Sequence, residues 1–151
     1  MNIKLLFQAI MKFLLGLIIV SSILFRFNWV EMPKIVVIIS SIVFAIAYIL
    51  YGEVLRENTY LSRTIEVQDN QEIIQTGLYG IVRHPMYSVT IVLFLTMPLI
   101  LGSIYSFLII LIYPILITKR IKNEEKILEK NLKGYTEYKK KVKYKVIPFV
   151  W

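Results

Sequence analysis

The sequence predicts an all-α integral membrane protein with about four transmembrane helices, and three observations carry that expectation. First, the 151 residues are 57% hydrophobic, with a mean hydropathy of +0.65. Soluble domains hold about 45–50% apolar residues. Second, the apolar residues fall in long blocks separated by a polar stretch at 52–83. Third, charge is segregated. The segment from Lys119 onward holds eleven of the 18 basic residues and four of the 10 acidic ones, which places nearly all of the net +8 there. The absence of cysteine excludes disulfides, thiolate metal sites and cysteine nucleophiles. The single histidine, His84, excludes any site built from two. So apolar a chain is not disordered.

The first block, about 5–25, is interrupted only by Gln8 and Lys12 and reaches the length needed to cross hydrocarbon. Lys12 can snorkel toward the headgroups. A secretory signal peptide is the bland alternative, but no small-residue cleavage site follows the apolar run. Phe25–Trp29 reads as an interfacial turn. The second span, about 35–51, is opened by Pro33 and Lys34, proline being tolerated where a helix starts. Between 52 and 83, Thr64–Val67 and Glu72–Ile74 read either as short extended pieces or as irregular coil. The third block, 89–118, is too long for one untilted helix and is broken by Pro98, Gly102 and Ser103. It reads as a tight helical hairpin with arms at about 85–101 and 104–118, with a single kinked span as the alternative.

Beyond Thr118 the composition favours a helix over 119–133, with Glu129–Lys133 as a favourable i,i+4 pair. A basic, tyrosine-studded tail follows. Its run Lys139–Lys145 reads as an electrostatic contact with anionic lipid in preference to nucleic acid, for which no base-stacking platform is apparent. Basic residues concentrate on the cytoplasmic side of a membrane. Four spans then put the N-terminus, the 52–83 segment and the tail in the cytoplasm. All of 1–151 forms one membrane domain, and its chemistry belongs on the cytoplasmic face, at about 71–87 and 119–148.

Two constellations stand at that face. Arg83 and His84 precede an apolar run, where ionisable groups need a partner or a role. Pro85 suits a first helical turn, and a helix start offers free N–H groups and a dipole to an anion. The bland alternative is an interfacial cap, with Tyr79 and Tyr87 in an aromatic belt. Arg120 and Glu124 are spaced i,i+4 where the last apolar arm leaves the membrane, so they share a helical face. They form either an exposed ion pair or a cation and an anion presented together to a ligand.

In order and spacing, Gly77-x-Tyr79-x-x-Val82-Arg83-His84-Pro85-x-Tyr87, an apolar hairpin, Arg120-x-x-x-Glu124-Glu125-x-x-Leu128, Tyr135-x-x-Tyr138 and Val146-Ile147-Pro148 resemble the isoprenylcysteine carboxyl methyltransferase family, whose wider group includes phospholipid methyltransferases. The resemblance covers about 75–151. It implies a membrane-embedded methyltransferase that uses S-adenosyl-L-methionine. By position, Tyr79, Arg83, His84, Pro85, Met86, Tyr87 and Glu124 would bind the cofactor, as would Gln71, Glu72, Ile73 and Ile74 just upstream. Arg120 would hold the acceptor, so that Arg120 and Glu124 form the catalytic pair. Arg83 is expected to hold the cofactor carboxylate or to brace the loop. These residue types suit the cofactor: a carboxylate can pair its ammonium, and tyrosines can pack its adenine or sulfonium. The stretch Leu132–Tyr135 departs from the family pattern, being about one residue shorter. The implied partners are a lipophilic methyl acceptor, carboxylate or amine, and membrane lipids. Two rivals stand beside this reading. One is an NADPH-dependent sterol or steroid reductase, whose tail Tyr144–Phe149 resembles. The other is a lipid-binding scaffold without catalysis.

Overall fold

A computed structural model describes residues 12, 15–16, 19–20, 23, 32–60 and 70–151. Apart from isolated positions, the span expected at 5–25 lies outside the described residues, as do the Phe25–Trp29 turn and the Thr64–Val67 piece.

Regular structure among the described residues is helical: α1 (Lys34–Glu57), a 3-10 turn (Gly77–Gly80), α2 (Pro85–Ile100), α3 (Ile104–Ile110), α4 (Ile112–Asn131) and α5 (Tyr135–Lys141). Two helical stretches, Lys34–Glu57 and Ile104–Asn131 taken across a break at Leu111, are long and apolar enough to cross a membrane; Pro85–Ile100 is a shorter apolar helix. Pro33 stands just ahead of α1, and its carbonyl accepts from Val36 and Val37 N–H. The helix overruns the apolar block by two turns, ending at Glu57 rather than near Tyr51. A hydropathy boundary marks where lipid-compatible side chains stop, and backbone hydrogen bonding continues through Glu53 and Arg56, which pair at i,i+3. Residues 71–75 settle as irregular backbone.

The chain forms two compact units. The first comprises Met1–Tyr48 with Ile91–Ile115. Its described part of α1 exposes Ile35, Ile38, Ile39, Ile42 and Ile46, each more than half accessible. Such a surface is stable against acyl chains and not against water. The expected hairpin is present, since the chain turns at Leu101–Gly102, with Gly102 at φ 72°. Ser103 caps α3 by accepting from Ser106 N–H, and Phe94 meets Tyr113 edge-on at 4.7 Å. The hairpin's second arm is broken at Leu111. Pro114 lacks an N–H, and its ring conflicts with the carbonyl four residues back, at Ile110. From Ile112 the helix runs without interruption through Thr118 to Asn131, so the expected span and the helix after it are one element.

The second unit comprises Ile49–Thr90 with Leu116–Trp151. Val54, Tyr79 and Val89 form one buried cluster, and Leu132, Tyr135, Tyr138 and Val142 form another. The segment after α5 runs beside the start of α2. Val82 and Tyr144 form an isolated parallel bridge, and the Tyr144 and Lys145 carbonyls accept from Arg83 and His84 N–H at 2.9 and 2.8 Å. Ser88 Oγ donates to the Val146 carbonyl at 2.6 Å.

Candidate functional site

Within the second unit, one cavity gathers Gln71, Glu72, Ile73, Ile74, Tyr79, Arg83, His84, Met86, Tyr87, Arg120 and Glu124, eleven of the twelve residues singled out from sequence. The twelfth, Pro85, is fully buried at the start of α2 and does not line the cavity. Six further residues complete the wall: Asn58, Tyr60, Leu128, Leu132, Tyr135 and Tyr138. Four of these six stand in the motif-bearing segment 128–138, where the Tyr-x-x-Tyr spacing was the available signal. Asn58 and Tyr60 follow α1 and carry no sequence signal. Asn58 Oδ1 accepts from Tyr60 N–H at 3.0 Å, an Asx turn that fixes both.

Tyr87 joins the charged residues of α4. Its hydroxyl donates to Glu124 Oε2 at 2.6 Å and accepts from Arg120 Nε at 2.7 Å. Arg120 and Glu124 do share a face, and the phenol of another helix connects them. Arg120 Cζ also lies 5.8 Å from the Tyr87 ring centroid.

Next to this relay lies a buried ion cluster. Arg83, 3% exposed at its side chain, donates from Nε to Glu125 Oε1 at 2.8 Å. Its Nη1 donates to the Val142 and Lys143 carbonyls at 2.6 and 2.8 Å. Glu125 Oε2 meets Lys145 Nζ at 2.9 Å. Burial alone would raise the Glu125 carboxyl; His84, Lys145 and Arg83 around it more than reverse that and hold it well below the usual carboxylate range. The backbone N–H groups of Arg83 and His84, expected to be open to an anion, are taken by the tail carbonyls.

Three buried polar atoms on cavity-lining residues lack a hydrogen-bond partner among the described residues: Tyr79 Oη, His84 Nε2 and Tyr135 Oη. His84 Nε2 lies 3.5 Å from Glu125 Oε1 without hydrogen-bond alignment. Burial, reinforced by the Glu124 and Glu57 charges against a nearby Asn58, pushes the Tyr79 hydroxyl up to about 12. Burial raises Tyr135 and Tyr138 as well. These phenols stay protonated at neutral pH and can donate. Tyr138 donates to the Tyr79 carbonyl at 2.7 Å. Buried polar atoms left unpaired carry a desolvation penalty that a polar ligand would relieve.

Fold and site together define a helical membrane protein whose second unit holds a cavity lined by charged and polar side chains. The chain belongs to the isoprenylcysteine carboxyl methyltransferase family, whose profile matches residues 35–130. It is also similar to the delta(14)-sterol reductase TM7SF2 of Mus musculus, at 29% identity over 91 residues. That match covers 58% of this chain and 22% of the reductase, so the chain spans less than a quarter of the length of that curated relative.

Proposed function

We propose that the protein is a membrane-embedded methyltransferase that uses S-adenosyl-L-methionine on a lipophilic acceptor at the cytoplasmic face. Family membership supports the activity. The observation that carries the cofactor assignment is a single cavity containing an anion, a cation and three unpartnered buried polar atoms. These residues fit the cofactor's ammonium, carboxylate and adenine. When bound, the cofactor supplies an electrophilic methyl group. Glu124 holds the ammonium, and Tyr79, Tyr135 and His84 offer their free atoms to the remaining polar groups. Arg120 orients the acceptor for in-line attack, so positioning and exclusion of water provide much of the rate. A carboxylate acceptor arrives ionised; an amine acceptor needs its proton removed, and His84 is the candidate base. Glu125, committed to Arg83 and Lys145, is not free for that task. Arg83 acts as the brace of the loop. Four spans, with both termini and 52–83 cytoplasmic, complete the reading.

A thermal unfolding measurement on detergent-purified protein tests it. S-adenosylhomocysteine at about 100 times its dissociation constant adds about 2.7 kcal/mol and raises the midpoint. No shift at millimolar concentration in folded protein removes the cofactor assignment. The match to a sterol reductase favours a second reading, an NADPH-dependent reductase. A midpoint raised by NADPH and not by S-adenosylhomocysteine selects it.

A further inference from the structure

The long helix α4 carries a feature that the cavity does not use. Ile112 and Ile115 are exposed near its start, and Lys119, Lys122, Lys126 and Lys130 are exposed further along. At 3.6 residues per turn these six positions fall within an arc of about 80°. Ile117, Ile121 and Glu125 are buried on the opposite side. One face of one helix therefore changes from isoleucine to lysine as the apolar stretch ends at Thr118.

These lysines differ from those of the tail. Lys139 pairs with Glu129, Lys140 with Glu137 and Lys145 with Glu125. The basic run read from sequence as the lipid contact is thus largely paired within the protein, and Glu129 is engaged by Lys139 rather than by Lys133. Among the described residues, none of the four α4 lysines has a carboxylate within 4.0 Å.

We propose that the row Lys119, Lys122, Lys126 and Lys130 is a binding surface for anionic phospholipid headgroups of the leaflet from which α4 emerges. It rests on α4 crossing the membrane and not on the methyltransferase activity. The row continues the face whose isoleucines are exposed, so it meets the headgroups of the same surrounding lipid. Side chains on a helix lean toward its N-terminus, which for α4 is the membrane side, so the lysine stems point back at the leaflet. At 1.5 Å per residue, Lys119, Lys122 and Lys126 lie roughly 6, 10 and 16 Å beyond Ile115 along the axis, and Lys130 about 22 Å. Screening over about 8 Å at physiological salt grades their contributions, with Lys119 and Lys122 strongest and Lys130 weakest.

The test uses the full chain reconstituted in phosphatidylcholine bilayers, with spin-labelled phosphatidylglycerol or phosphatidylcholine as the probe. Electron spin resonance then reads the lipid that the protein immobilises. A lysine close to an anionic surface contributes at most about five-fold. The native chain should prefer phosphatidylglycerol several-fold, and the preference should collapse toward ~1 M salt, where screening shortens to about 3 Å. K119Q/K122Q/K126Q should bring it near parity, and K119Q/K122Q should remove more of it than K126Q/K130Q. K140Q/K141Q, which removes exposed charge elsewhere, should retain it. Unchanged thermal midpoints keep unfolding out of the comparison, and the double variants serve if the triple variant does not fold. Equal immobilisation of both lipids by the native chain overturns the proposal and leaves the row to an acidic soluble partner. A loss in K140Q/K141Q equal to that in K119Q/K122Q/K126Q overturns it in favour of net charge alone.

Discussion

Tyr87 holds Arg120 and Glu124 at a fixed separation through one hydroxyl. Tyr87→Phe leaves the ring and removes both hydrogen bonds, each worth about 1.5–3 kcal/mol when one partner is charged. Methyl transfer should fall by one to two orders of magnitude, with a smaller change in cofactor affinity. Glu124→Gln and Arg120→Met should separate the two ligands. The first weakens S-adenosylhomocysteine binding about ten- to a hundredfold, while the second spares it and lowers turnover; calorimetry and a labelled-methyl assay read the two effects. Equal weakening by both would reduce the pair to a structural bridge. Glu125 behaves differently. Its folded-state pKa is depressed, so its contribution to stability is fully present above the unfolded value near ~4.3 and is lost as pH falls through the folded value. Glu125→Gln should therefore destabilise by about 3–5 kcal/mol at pH 7, as loss of one buried partner does. Thermal midpoints of the two proteins should converge as the medium is acidified below that carboxylate range. The sequence placed Glu124 and Glu125 side by side, but adjacent helical positions are about 100° apart, and only the packing shows that one lines the cavity while the other is sealed against Arg83.

Helix positions were legible wherever a local signal was strong. Pro85 opens α2, and Leu101–Gly102 turns the hairpin because Gly102 tolerates a positive φ. Ser103 caps the next helix, so Ser103→Ala should cost about 1 kcal/mol, readable as a lowered thermal midpoint. Helix ends do not coincide with the edges of the apolar blocks, and the helix expected over 119–133 is the continuation of the one before it. Both α1 and α4 continue past their apolar blocks, to Glu57 and Asn131, because backbone hydrogen bonding is indifferent to the change from lipid to water. The break at Leu111 follows from Pro114, a helix-breaking residue hidden inside an apolar run. Asn58 and Tyr60 join the cavity through an Asx turn after α1, and no motif marks so short a device.

For the whole molecule, the four-span reading places the Leu101–Gly102 turn outside and the tail in the cytoplasm. Leu101→Cys should label with a membrane-impermeant thiol reagent only from outside, and Lys143→Cys only from the cytoplasm; the native chain has no cysteine to interfere. Labelling of both from one side would discard the topology. Both positions are exposed, unlike Ser103, which is buried as a cap. The family and the charge asymmetry could be read along the chain, whereas the cavity depends on segments that meet only in space. The brace around Arg83 also sets an order of assembly during synthesis. Its guanidinium is made early, its carboxylate partner Glu125 forty-two positions later, and the Val142 and Lys143 carbonyls fifty-nine and sixty positions later. A nascent chain therefore carries the Arg83 guanidinium first without its carboxylate, then paired with Glu125 but without its carbonyl acceptors, until residues beyond 140 have been made.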